Sequence, residues 1–294
     1  SRVNTKARWE SAHKGRVLEA SVSVAALCRA AGMSRQNYYK QHGRRKRRQV
    51  EEDLVVELVQ AERQLQPELG GRKLLVRIGP GLKEAGIQLG RDLFFDLLRS
   101  RNLLIQSKKR GKRTTDSRHN FRIYTNQYSD LEVTEAHQAW VADLTYLRSE
   151  EGFLYLSLIS DASTRKVIGY EASDRLEAEG CLASLEQALE QLPEGKRPLH
   201  HSDRGIQYCC RAYTEKLKAR KLSISMTEEN HCYENAQAER LNGILKQEYG
   251  LGACFQSKAQ ARQAVDQAVW LYNELRPHLS LDYRTPSEMH EKAA

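Results

Sequence analysis

From residue 138 onward, short apolar runs alternate with helical patterns in an order that few folds can satisfy. Strand-like runs cover 138–147, 153–161 and 166–172, separated by the hairpin signals Glu150-Glu-Gly152 and Ala162-Ser-Thr-Arg165. A helical pattern follows at about 177–191, with Leu182, Leu185 and Leu189 on one face. Next come a strand at 198–202, a helix near 211–220, a short strand at 222–226, and helices at about 235–248 and 257–273. Three strands, helix, strand, helix, strand, helices predicts a mixed five-stranded sheet covered by helices on its faces.

Three carboxylates stand at telling places in that pattern. Asp143 sits inside the apolar strand run Trp140-Val-Ala-Asp143-Leu-Thr-Tyr, where a buried carboxylate requires partners. Asp203 follows the strand Leu199-His-His-Ser202, and Glu239 lies on the helix at 235–248. Sixty positions separate the first two, and thirty-five residues lie between the second and third. A bare cluster of three carboxylates would repel itself, whereas hard divalent cations are held by such oxygens. Mg²⁺ or Mn²⁺, as a pair of ions, suits phosphoryl transfer. Asp161, followed by Ala-Ser-Thr, reads instead as turn chemistry. Asn235, Asn242 and Lys246 share the helix face of Glu239 and suit a DNA groove better than a core.

The first part of the chain is helical and basic. Residues 1–130 carry 28 Lys and Arg against 13 Asp and Glu; residues 131–294 carry 19 against 25. A cationic half joined to an anionic half points to a polyanion grip on a catalytic body. Residues 21–41 have helix-turn-helix spacing: Val24, Leu27 and Cys28 on one face, Gly32 at the turn, and Ser34 capping a second helix. Arg35, Gln36 and Lys40 would then face DNA, with Arg45 and Arg47 in the basic linker His42–Arg48. These residues make the first unit, 1–48. A second helical unit spans 49–105, with a helix stopped at Gly79-Pro80-Gly81, another closed by Gly86, and a third at Arg91–Arg101. That third helix directs Leu93, Phe94, Leu97 and Leu98 to a core and Arg91 outward. A basic linker follows at 106–134, where Lys108, Lys109, Arg110, Lys112 and Arg113 would add salt-sensitive affinity for phosphates. The catalytic domain is expected over 135–294.

Other classes are excluded. No apolar run approaches the ~18 residues a membrane helix needs. The six cysteines form no C-x-x-C pair, which argues against zinc, and free thiols in a reducing cytoplasm are expected.

At its motifs the chain resembles the second-frame transposases of the IS-three class of bacterial insertion sequences, whose catalytic core is like retroviral integrase. The matching words are Trp140-Val-Ala-Asp143-Leu-Thr-Tyr, His201-Ser-Asp203-Arg-Gly-Ile-Gln-Tyr208, Tyr233-Glu-Asn-Ala-Gln-Ala-Glu239 and Tyr272-Asn-Glu-Leu-Arg-Pro-His278. Leu69-Gly-Gly-Arg-Lys is similar to that family's helical domain. Glu234 and Cys209-Cys210 depart from the usual pattern, and the loop 227–231 is more acidic. The resemblance implies a ribonuclease-H-like fold and a catalytic, metal-binding triad of Asp143, Asp203 and Glu239. It implies nicking at the element's terminal repeats and attack of the freed 3′-hydroxyl on target DNA. The implied partners are double-stranded DNA, further copies of this chain as a dimer or higher oligomer, and an upstream-frame protein of the same element. A bacterial, nucleoid-associated location follows, with no membrane.

Two other readings use the same features. A catalytically silent, end-binding regulator would carry a broken triad, and this one is intact. A ribonuclease-H-like nuclease would have no use for two helical DNA-reading units.

Overall fold

A computed structural model describes residues 23–105, 122–228 and 236–293. The chain divides into two compact units, one of residues 1–60 and 81–88 and the other of 61–80 and 89–294. The division runs through two helices rather than at a linker.

In the first unit, α1 (Val24–Ala31) is capped by Ser23, whose hydroxyl accepts from the Ala26 amide at 3.2 Å. It ends at Gly32, whose φ of 64° is the left-handed conformation glycine adopts freely. Ser34 caps α2 (Arg35–Leu65) by accepting from the Asn37 amide at 3.2 Å. Leu27, Cys28, Ala31 and Tyr38 are buried, as the spacing predicts. The basic run His42–Arg48 is not a linker: it is helical throughout, within the 31 residues of α2. Arg, Lys and Gln are good helix formers, and Arg48 pairs with Glu52 one turn on at 2.7 Å. Gly79-Pro80-Gly81 does not stop its helix either. Helix α3 (Gly71–Glu84) continues through Pro80, with buried Leu74, Ile78 and Leu82 at four-residue spacing along it. Burial of that face outweighs the missing proline N–H.

In the second unit, α4 (Arg91–Ser100) buries Phe94, Leu97 and Leu98 as expected, but Leu93 is 55% exposed. Leu93 lies one position before Phe94 and points off the apolar stripe. The sheet is formed by β1 (Ala139–Ser149), β2 (Gly152–Asp161), β3 (Val167–Ser173), β4 (Leu199–Ser202) and β5 (Ser223–Met226), ordered β3-β2-β1-β4-β5. β1, β2 and β3 are antiparallel neighbours, while β4 runs parallel to β1 and β5 parallel to β4. This is the ribonuclease-H-like topology that the resemblance implies. A two-residue strand, β6 (Cys254–Phe255), adds to the five by pairing with Arg148–Ser149.

Alternation along the strands sends side chains to both faces, and both are covered. Trp140, Ala142, Ile159 and Ile168 pack with α5 (Ala178–Glu190) and with Tyr213 and Leu217 of α7 (Arg211–Ala219). Between β4 and α7 lies the single turn α6 (Ile206–Cys209). On the other face Leu147, Leu156, Leu158 and Val167 pack against α8 (Ala236–Glu248) and α9 (Lys258–Glu274). The chain closes with a 3-10 turn at Leu279–Leu281 and α10 (Pro286–Ala293). Helix α5 lies very close to β3: a Cβ on Gly169 would stand 2.0 Å from the Ser184 carbonyl oxygen. No helix among the described residues is long and apolar enough to cross a membrane.

Candidate active site

The parallel pairing of β1 with β4 fixes where two of the acids stand. Their register ends with Val141 opposite His201. Two residues further along the chain stand Asp143, which strand alternation puts on the face of Val141, and Asp203. Asp143 remains within β1 and is only 6% exposed. Asp203 lies just past β4, where its Oδ1 accepts the Gly205 amide at 2.9 Å. A Cβ on Gly205 would come within 3.0 Å of that oxygen, so glycine leaves the carboxylate room in its turn.

Helix α8 is tied to β1 by polar bonds at two heights. Asn242 Nδ2 donates to Asp143 Oδ2 at 2.7 Å, and Lys246 Nζ donates to Thr145 Oγ1 at 2.6 Å. One helical turn and two strand residues cover nearly the same length, so the helix tracks the strand. Glu239, half-buried, is three residues before Asn242 and shares its helix face. Among the described residues, no three His, Cys, Asp or Glu side chains stand close enough together to hold a metal ion.

Asn242, expected from the sequence to meet DNA, is instead 8% exposed and occupied with Asp143. Its other amide atom, Oδ1, is buried without a hydrogen-bond partner among the described residues. Lys246 is half-buried, and burial lowers its pKa although Asp143 nearby opposes this. Tyr208 is fully buried next to this site. Burial pushes its hydroxyl well above its usual pKa, and the charges of Asp143 and Asp203 add to the shift.

Asp161 is excluded by its hydrogen bonds. Its Oδ1 accepts from the amides of Ser163 and Thr164 and from Thr164 Oγ1, and its Oδ2 from the His137 amide. The carboxylate is consumed by its own turn.

Of the residues read as DNA contacts, Arg35, Gln36, Lys40, Arg45 and Arg47 lie exposed on α2. Arg91 is exposed and pairs with Asp92 at 2.9 Å. Lys108, Lys109, Arg110, Lys112, Arg113 and Asn235 lie outside the described residues. Sequence reasoning did not find the Asn242–Asp143 and Lys246–Thr145 bonds. Their only signal is a shared four-residue spacing on the helix against a two-residue spacing on the strand.

Comparison with known proteins identifies the family. Two models described as integrase core domain match, over residues 133–232 and 220–286. The insertion element IS600 31 kDa protein of Shigella sonnei is 33% identical over 270 residues, covering 90% of this chain and 98% of that one. Transposase InsF for insertion sequence IS3A of Escherichia coli (strain K12) is 28% identical over 283 residues, covering 93% and 96%. Among solved structures, the HTLV-2 integrase catalytic core domain in complex with magnesium matches with a TM-score of 0.42 and 18% identity. That match covers 52% of this chain and 96% of the integrase core. The chain belongs to the IS3-type insertion-sequence transposases, enzymes built on an integrase core.

Proposed function

We propose that this transposase cuts DNA at the ends of its insertion sequence and joins the freed 3′-hydroxyl to a second phosphodiester, using Asp143, Asp203 and Glu239. In the joining step the hydroxyl oxygen bonds to phosphorus and the original P–O3′ bond breaks. The departing 3′ oxygen takes up a proton, so phosphodiesters are exchanged without an external energy source. The observation that supports this reading is the β1–β4 register, which pairs Val141 with His201, two residues before Asp143 and Asp203, while Asn242 bonds Asp143 from the helix that bears Glu239.

The donor chemistry, carboxylate oxygen, is of the type a hard divalent cation takes, although the described side chains are not drawn together into a three-ligand set. Asp143 stands on β1 and Asp203 just past the end of β4, and the unpartnered Oδ1 belongs to the Asn242 amide that holds Asp143. Asp143 and Asp203 would hold Mg²⁺ or Mn²⁺, singly or as a pair, with Glu239 as the third ligand. Such cations supply charge stabilisation for phosphoryl transfer. Asn242 fixes the orientation of the Asp143 carboxylate, and the Lys246 ammonium contributes positive charge for a phosphate. The helix-turn-helix of α1 and α2, with exposed Arg35, Gln36 and Lys40, is assigned to reading the element's ends. Residues 49–105 are assigned to further DNA contact, and 106–134 to a basic connector into the catalytic domain at 135–294. Action as a homo-oligomer on paired ends, with or without an upstream-frame protein, completes the proposal.

The test is incubation of the purified chain with its own element's ends and Mg²⁺, with the products sequenced. Nicked and joined ends are expected from the wild type. Asp143→Asn is expected to bind ends without joining them. Joining by Asp143→Asn, or simultaneous loss of binding and fold, would overturn the assignment.

A further inference from the structure

The β1–β2 hairpin carries two exposed aromatic rings, one of them three residues beyond Asp143 along β1. Tyr146 and Phe153 are each 51% exposed and meet edge to face, with centroids 5.6 Å apart and planes at 89°. A cross-strand aromatic pair stabilises a hairpin by itself. That role does not account for the cation beside it: Lys246 Nζ lies 4.7 Å from the Tyr146 ring centroid while donating to Thr145.

β4 pairs with β1 as far as Val141, and β6 from Arg148 on. Thr145 shares the side of Asp143, and Tyr146 takes the opposite side. Reaching both, the ammonium straddles the strand. A half-exposed aromatic pair and a held ammonium match two parts of one nucleotide. The ring offers stacking, which every base accepts, and the ammonium suits a phosphate. The same ammonium disfavours a basic peptide. Bases inside a duplex are already stacked, so the complementary ligand is an unpaired base.

Resting on the strand-joining function proposed above, we infer that Tyr146 and Phe153 form a stacking platform for an unpaired nucleobase at the element's end, with Lys246 on the adjoining phosphate. The platform holds the frayed end at β1, three residues along the strand from Asp143, so that the terminal nucleotide is positioned before joining.

The experiment uses the full chain and two duplexes bearing the element's own end. One is fully paired; the other has its last nucleotides mismatched, with 2-aminopurine at the terminus. Binding is measured without divalent cation. The wild type is expected to bind the mismatched end more tightly and to quench the 2-aminopurine. Tyr146→Leu should lose that preference and the quenching, by roughly 5- to 150-fold in affinity. It should bind the paired end as the wild type does. Tyr146→Phe, which keeps the ring, should restore both. Equal binding of the two ends by the wild type, or equal loss of both by Tyr146→Leu, would overturn the platform and leave the strand-joining function standing. Failure of the wild type to bind either end would instead remove that function, and the platform with it.

Discussion

Arg276 and Glu248 face each other through two parallel hydrogen bonds, Nε to Oε2 and Nη2 to Oε1, both 2.8 Å long. The Arg276 side chain is only 2% exposed, and the pair joins the segment after α9 to the end of α8. Lys73 of α3 approaches the same carboxylate at 3.5 Å. Burial acts to raise the pKa of Glu248, but its bonds and charge contact with Arg276 outweigh this and lower it.

Removing one partner of such a pair strands a buried charge. Arg276→Met is expected to destabilise the chain by about 3–5 kcal/mol. Replacing Glu248 by Leu as well should recover much of that loss, because the stranded carboxylate is gone. Urea unfolding midpoints of the single and double variants check this; a double variant no better than the single one would refute it.

Three buried histidines make stability depend on acidity. Arg276 can only donate, so His278 Nε2, 2.8 Å from its Nη1, must accept and be neutral. Burial lowers the pKa of His278 to about 2, that of His200 to about 3 and that of His290 to about 4. Unfolded, each would take up a proton near pH 6.5. Between that value and the folded one, the unfolded chain binds more protons, so stability falls as pH falls. Each such histidine contributes a slope of about 1.4 kcal/mol per pH unit. Thermal midpoints are expected to drop steadily from pH 7 to pH 5; a flat profile would contradict the neutral assignments.

Lys246 is assigned a phosphate, and one phosphate contact has a measurable signature. Lys246→Ala should weaken binding to DNA ends whatever their sequence. It should also reduce the slope of log affinity against log salt by about one. An unchanged slope would mean that the ammonium serves only Thr145 and Tyr146.

Gly169 admits the backbone of α5 to the surface of β3. A methyl group there would sit 2.0 Å from the Ser184 carbonyl oxygen, and the helix would have to move. Gly169→Ala is expected to cost about 1–3 kcal/mol or more. Gly43→Ala, where a Cβ meets nothing within 4 Å, is the matched control in circular dichroism melts.

Much of the sheet was legible because strand alternation and turn residues are local signals. The runs around Asp143, Asp203 and Ile224 all became strands, and the helix carrying Glu239 formed within a residue of its expected limits. The basic run 42–48 misled because charge density looks like a solvated connector, although Arg, Lys and Gln are also comfortable in a helix. Pro80 misled because its effect on a helix is local, whereas the burial that overrides it is tertiary. At the proposed site, residue types single out the acids as candidates. Their mutual placement depends on strand register, and the buried role of Asn242 on a bond across 99 positions of sequence.

Because β1 and β4 are side by side and parallel, chain length between Asp143 and Asp203 is decoupled from their distance in space. Insertions in the loops joining β2, β3 and α5 would leave the two carboxylates as neighbours. Sliding β4 by a single position would turn Asp203 to the opposite side of the sheet. Evolution can therefore lengthen or trim the connecting loops without disturbing the three paired positions from Ala139 to Val141.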